Sequence, residues 1–129
     1  MVNVRISCPV NPSESDELVL EAVLRIFPDA SMTRTDEGYE GVAGDIENLS
    51  LLIRRQRILD AARSVVFGGM CGDATEFTLN KQAAFVGKVS FCPEDTVLGA
   101  IKVCLDGDNL EDIVNVMLPR TVDGQEVTP

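Results

Sequence analysis

Apolar and polar residues alternate over several short stretches of this chain, and the alternation constrains the fold more than any other feature. In the first stretch every second residue is apolar: Val2, Val4, Ile6 and Cys8. A period of two is typical of a strand with one buried face. Three later stretches repeat it, with an inward phase at Phe77 and Leu79 (76–80), Phe85, Val89 and Phe91 (85–91), and Ile101, Val103 and Leu105 (100–105). These strands need a layer that covers their apolar face.

Capping signals predict two helices for that layer. Asn11-Pro12-Ser13-Glu14 combines a capping side chain, a proline suited to the first helical position and a glutamate at the third. We expect a helix from there to about Phe27, because Pro28 cannot continue it. Asp108, followed by a glutamate three positions later, predicts a last helix through Leu118.

The segment between residues 45 and 67 has a helical pattern that a single straight helix does not satisfy. Asp45 is suited to cap it, and Gly68-Gly69 is suited to end it. On one helix Arg55 would fall inside the apolar arc, where an unpartnered charge is costly. We therefore expect a break near residues 54–57. The alternative is that Arg55 reaches a carboxylate or the rim of the core.

Two weaker strand candidates, 30–35 and 39–43, flank the turn-like Asp36-Glu37-Gly38. The resulting order, β-α-β-β-α(α)-β-β-β-α, predicts an α+β fold: a two-layer sandwich with a mostly antiparallel sheet and its helices on one face. Residues 1–118 would form a single domain. Residues 119–129, with a turn at Asp123-Gly124, would form a C-terminal tail or small hairpin. The uncovered sheet face would present Asn3, Arg5, Ser7, Glu76, Thr78, Val86, Lys88, Ser90, Lys102 and Cys104.

Composition argues against several functional classes. No apolar run approaches the ~20 residues of a membrane span, and no secretion signal is recognisable, so we expect a cytoplasmic protein. The chain has no histidine, and its four cysteines (Cys8, Cys71, Cys92, Cys104) form no Cys-x-x-Cys pair. We therefore expect no metal, no cofactor and no enzymatic activity. Whether any cysteines pair with each other stays open.

Basic residues are concentrated in one part of an acidic chain. The net charge is −10, yet the segment 54–88 holds six Lys or Arg against three acids. One interpretation is a solvated helix face in which Asp60 pairs with Arg57 and Arg63. The other is contact with RNA phosphates through Arg54, Arg55, Arg57, Arg63, Lys81 and Lys88. Inward-phase aromatic residues argue against base stacking, and the net charge opposes nucleic-acid binding at long range.

Three sequence blocks carry a resemblance to a known family: Arg57-Ile58-Leu59-Asp60-Ala61-Ala62-Arg63, Leu79-Asn80-Lys81-Gln82-Ala83-Ala84-Phe85-Val86-Gly87 and Pro119-Arg120-Thr121-Val122-Asp123-Gly124. They resemble the motifs of a small uncharacterised archaeal family, grouped with proteins to which RNA binding has been attributed. A related branch has been called a predicted exosome subunit. The resemblance implies a fold similar to the large-subunit ribosomal protein that binds 5S rRNA. It implies no catalytic residues.

Two functional hypotheses follow. The first is a non-catalytic archaeal protein that binds structured RNA, but not DNA, through contacts with the phosphate backbone. The alternative is a regulatory module that binds protein or a small ligand and never contacts RNA. For the first we expect a homodimer, formed through part of the sheet or a neighbouring edge, and for the alternative an apolar surface buried in a self or partner contact.

Overall fold

Five antiparallel strands form the sheet that the alternation predicts. The structure is a computed structural model that describes residues 2–92, 99–119, 121–122 and 125–126. The strands are β1 (Asn3–Pro9), β2 (Ser31–Arg34), β3 (Gly38–Ala43), β4 (Ala74–Asn80) and β5 (Ala100–Asp106). Their order in the sheet is β2-β3-β1-β5-β4, with every neighbouring pair antiparallel. β1 is therefore central, and the predicted hairpin of β2 with β3 is confirmed.

Helices supply the covering layer. They are α1 (Asp16–Ile26), α2 (Glu47–Gln56), α3 (Leu59–Gly68), α4 (Lys81–Phe85) and α5 (Leu110–Met117). Inward strand residues such as Ile6, Leu79 and Val103 join buried helix residues such as Val23 and Ile53 in one core cluster. The α+β class and the antiparallel sheet are thus confirmed.

Two of the predicted helix caps are wrong. The cap of α1 is Ser15, whose hydroxyl accepts a hydrogen bond from the backbone N–H of Leu18. Asn11 instead donates to the carboxylate of Glu14, so neither side chain caps the helix. At the last helix, Asn109 precedes α5 with a left-handed backbone and no side-chain capping bond. Asp108 therefore lies one residue too early to serve as the cap.

The strand predicted at 85–91 is also wrong. The Asn80 side chain accepts a hydrogen bond from the Ala83 N–H and starts the short helix α4. A left-handed Gly87 follows that helix. What remains of the predicted strand is an isolated bridge between Leu79 and Phe91. A local helix cap thus overrides the alternation in this segment.

The C-terminal residues that the structure describes contain two short strands, β6 (Thr121–Val122) and β7 (Gln125–Glu126), which pair antiparallel. The predicted turn at Asp123-Gly124 lies outside the described residues. No helix in the described part of the chain is both long enough and apolar enough to cross a membrane.

Candidate nucleic-acid interface

The predicted break in the central helix is confirmed, and it forms the centre of the candidate site. α2 ends at Gln56, and α3 begins at Leu59. Between them the Arg57 N–H donates to the Arg54 carbonyl at 3.1 Å, and the Ile58 N–H donates to the Ile53 carbonyl at 3.2 Å. These two bonds are the signature of a Schellman motif, with Arg57 at its left-handed position. Glycine is the usual residue there, so an arginine with φ of 58° carries backbone strain.

Gln56 brings a third basic residue to this junction. Its side-chain amide donates to the Val89 carbonyl at 2.8 Å and accepts from the Val89 N–H at 2.7 Å. This two-bond clamp ties the chain around Val89 to the end of α2, so Lys88 lies beside the helix junction. We call the exposed side chains of Arg55, Arg57 and Lys88 the junction patch. Within the described residues, none of the three side chains makes a hydrogen bond or an ion pair.

Two other predicted site residues hold the end of α5. The Arg54 guanidinium lies 3.3 Å from the Val116 carbonyl and 3.4 Å from the Met117 carbonyl. The half-buried Arg63 donates to the Leu118 carbonyl at 2.6 Å. Cationic side chains are well suited to the unpaired carbonyls at a helix C-terminus. Both arginines therefore have a structural role, although Arg54 remains exposed at the rim of the junction patch.

Arg63 makes two further contacts that fix its direction. Its guanidinium donates to the Asn115 side-chain oxygen at 3.0 Å. It also lies over the Phe67 ring, 4.8 Å from the centroid, in a cation–π contact. A side chain held on three sides in this way is not available to an external phosphate.

Lys81 is buried and lies away from the other predicted site residues. Its ammonium donates to the Glu14 carboxylate at 2.9 Å and to the Pro9 carbonyl at 2.6 Å, and the two charged side chains are 1% and 8% exposed. Burial opposes ionisation of Glu14, but hydrogen bonds from Lys81 and Asn11 outweigh it and hold the Glu14 pKa below its ordinary value. The pair ties the loop after β1 to α4.

A sequence signal for this burial did exist. Lys81 follows Phe77 and Leu79 at two-residue steps, so it falls in the inward phase of β4. The Gln56 clamp has no comparable signal, because its partner lies 33 positions along the chain.

The possible metal ligands and thiols can be assessed in the described part of the chain. The described residues contain no group of three or more His, Cys, Asp or Glu side chains that could hold a metal ion. All four cysteines are free thiols. Burial raises the Cys8 pKa to about 11, so this thiol stays protonated near neutral pH. What the described residues do provide is a group of exposed cations at the junction patch.

Comparison with known proteins places the chain among archaeal relatives. It is 40% identical over 131 residues to a UPF0201 protein of Methanocaldococcus jannaschii, covering 95% of this chain and 76% of the relative. It is 38% identical over 129 residues to a UPF0200/UPF0201 protein of Archaeoglobus fulgidus, covering 98% of this chain but only 40% of that longer relative. These names indicate no enzyme activity. No protein-family model matches the chain.

Solved structures agree with this placement. A crystal structure of a UPF0201 protein from Methanococcus jannaschii has a TM-score of 0.90 and 39% identity, covering 98% of this chain and 99% of that one. A second, described as an uncharacterized UPF0201 protein, has a TM-score of 0.87 and 37% identity, covering 97% and 99%. A DUF54 protein of Archaeoglobus fulgidus, at 21% identity and a TM-score of 0.64, shares the fold alone. Together, the identity, coverage and structural similarity show that the chain belongs to the archaeal UPF0201 family.

Proposed function

We propose that this protein binds structured RNA through phosphate contacts made by the junction patch, without catalysis. One observation carries the proposal: the Gln56 clamp gathers Arg55, Arg57 and Lys88 at one exposed site of a protein whose net charge is −10. On so acidic a chain, a cluster of cations without acidic partners among the described residues is suited to a polyanion.

The aromatic residues favour recognition of the backbone over recognition of bases. All six lie within the described residues, and none is exposed: Phe27, Phe67, Phe77, Phe85, Phe91 and Tyr39. Single-strand readers stack bases on exposed aromatic rings. This chain offers no such platform, so the expected ligand is an RNA stem recognised by shape and charge.

The test is the salt dependence of binding to a fluorescent RNA hairpin, followed by fluorescence anisotropy. Three phosphate contacts predict a slope of about −2.7 in log affinity against log salt, or roughly a 40-fold loss between 50 and 200 mM KCl. A duplex DNA of the same length forms a second arm, which we expect to bind more weakly. The absence of RNA binding at 50 mM KCl would rule the proposal out.

A matched pair of variants separates the patch from general charge effects. Arg57→Glu removes one contact and should weaken binding of every stem sequence while lowering the salt slope by about 1. Arg25→Glu changes the net charge by the same amount at an exposed position near the other end of α2, where the Arg25 carbonyl accepts a hydrogen bond from Asn48. Equal losses from the two variants would mean that only total charge matters.

A second candidate function, an interaction module that binds no RNA, is favoured by a different surface. The uncovered face of the sheet carries a groove of about 690 Å³, within the size range of ligand sites. A folded protein that fails to bind RNA at low salt, yet binds a partner through this face, would favour this second function.

A further inference from the structure

The uncovered face of the sheet has an internal symmetry that the strand register reveals. β1 runs along its middle, with β3 on one side and β5 on the other. Opposite Ser7 lie Glu40 on β3 and Lys102 on β5. One row of the face therefore reads acid, hydroxyl, base across the three strands.

The neighbouring row is likewise centred on β1, at Arg5, but the side chains at its two ends are apolar. Opposite Arg5 lie Val42 on β3 and Cys104 on β5. Val42 is 55% exposed, and Cys104 is half-buried. Partners in antiparallel register point to the same face. All of these side chains line the groove described above.

From this pattern we infer that the uncovered face packs against the same face of a second copy of this chain, related by a two-fold axis along β1. A rotation of 180° about that axis exchanges the β3 side with the β5 side within each row. Glu40 of each copy then faces Lys102 of the other, and Val42 faces Cys104. The self-complementarity matches what a two-fold interface requires, because each patch must recognise itself.

Electrostatic repulsion between two copies is weaker at this sheet face than over most of the protein surface. A protein of net charge −10 repels itself in general. On this face, however, Arg5 pairs with Asp106 at 3.6 Å, and Lys102 pairs with Glu76 at 3.2 Å. The face is thus locally close to neutral. Arg5 lies on the axis and meets its own copy there, and Asp106 offsets part of that charge.

The arrangement is independent of RNA binding, because the junction patch belongs to the helical layer on the other side of the sheet. The sheet-to-sheet dimer should therefore be disrupted when the charge at Glu40 or Lys102 is reversed, and restored when both charges are reversed together. Glu40→Lys sets lysine against Lys102 twice per dimer and should raise the dimer dissociation constant by roughly 100-fold. Lys102→Glu should do the same by setting glutamate against Glu40.

The decisive experiment mixes the two single variants and measures mass by sedimentation equilibrium and native mass spectrometry. One variant presents two lysines per face and the other two glutamates, so we expect each to be a monomer alone and the mixture to form a heterodimer. The double variant Glu40→Lys/Lys102→Glu should again dimerise with itself. Glu21→Lys, at an exposed acid on α1, is the control and should leave the dimer intact.

A second pair of variants tests the same face without relying on Lys102, whose replacement also affects Glu76. Val42→Lys should give a folded monomer, because it removes an exposed apolar contact at the interface. Val116→Lys, at a valine of similar exposure on α5, should remain dimeric. A wild-type monomer at high concentration would overturn the inference. So would a dimer whose mass is unaffected by Glu40→Lys and Val42→Lys.

Discussion

The buried ion pair between Lys81 and Glu14 allows a sharp prediction about stability. Replacing Lys81 with methionine keeps most of the side-chain volume and removes the charge. The Glu14 carboxylate would then keep its bonds from Asn11 but lose the cation 2.9 Å away. Its other oxygen, Oε2, is buried and has no hydrogen-bond partner among the described residues. An anion would thus remain buried without its counterion.

The expected cost follows from that geometry. Breaking a buried ion pair by removing one partner typically destabilises a protein by about 3–5 kcal/mol. For a domain of this length the entropy of unfolding is roughly 0.27 kcal/mol per degree, so the variant should melt roughly 11–18 °C lower. Thermal unfolding followed by circular dichroism at pH 7 measures the shift, and urea unfolding measures the free energy independently.

The dependence on pH identifies the cause. In the wild type the Glu14 pKa is held below its ordinary value of 4.5, so the pair contributes stability above that pH and loses it as pH falls through the folded-state pKa. In Lys81→Met the bonds from Asn11 remain but the cation is lost, so the Glu14 pKa lies higher than in the wild type and less stability is gained as pH rises. The difference between the two proteins should therefore be larger at pH 7 and shrink as pH falls, first through the Glu14 pKa of the variant and then through that of the wild type.

The double variant Glu14→Gln/Lys81→Met is the matched control. It removes both charges, and the glutamine can still accept hydrogen bonds from Asn11, so it should recover at least half of the lost stability. A single-variant deficit below about 1 kcal/mol, or a deficit that does not change with pH, would refute the role assigned to this pair.

Three further predictions concern the helix junction and the thiols. Arg57→Gly should stabilise the fold by about 1 kcal/mol in urea unfolding, because glycine relieves the left-handed backbone strain. The same variant should bind RNA more weakly, because it removes a charge. Arg57→Lys is the control that keeps both the strain and the charge. Gln56→Ala breaks both bonds to Val89 and should cost about 1–3 kcal/mol in the same assay while weakening RNA binding, and unchanged affinity would mean that the clamp does not position Lys88. In the native protein at pH 8, Cys8 should resist maleimide labelling, because burial raises its pKa to about 11, whereas exposed Cys71 should react, as mass spectrometry of labelled peptides would show.

Much of the fold follows from local sequence signals. The break between α2 and α3 was predictable because Arg55 conflicts with the apolar arc of one continuous helix, a conflict that lies within a few turns. The error at 85–91 has an equally local cause. Alternation predicts a strand there, but Asn80 precedes a run of helix-compatible residues and caps it. Where two local signals compete, periodicity alone does not decide the outcome.

The candidate site was less predictable, because its members are separated by contacts that are distant in sequence. Arg63 reads as an exposed cation beside Arg57, yet its partners Asn115 and Leu118 lie 52 and 55 positions away. Lys81 pairs with Glu14 across 67 positions. Fewer basic side chains are therefore available at the surface than the sequence cluster suggests, because Arg63 and Lys81 are bound to other parts of the protein. The junction patch is what remains after those contacts are taken into account.

The two proposed surfaces lie on opposite layers, and this makes their behaviour separable. In a dimer that packs sheet against sheet, each helical layer faces outward, so the two junction patches point away from each other. A short RNA stem would contact one patch at a time, and the salt slope should be about −2.7 for both the wild type and the monomeric Glu40→Lys variant. Titration should give two stems per dimer. A slope that falls with Glu40→Lys would show instead that both copies contact one RNA, which the sheet-to-sheet arrangement does not permit.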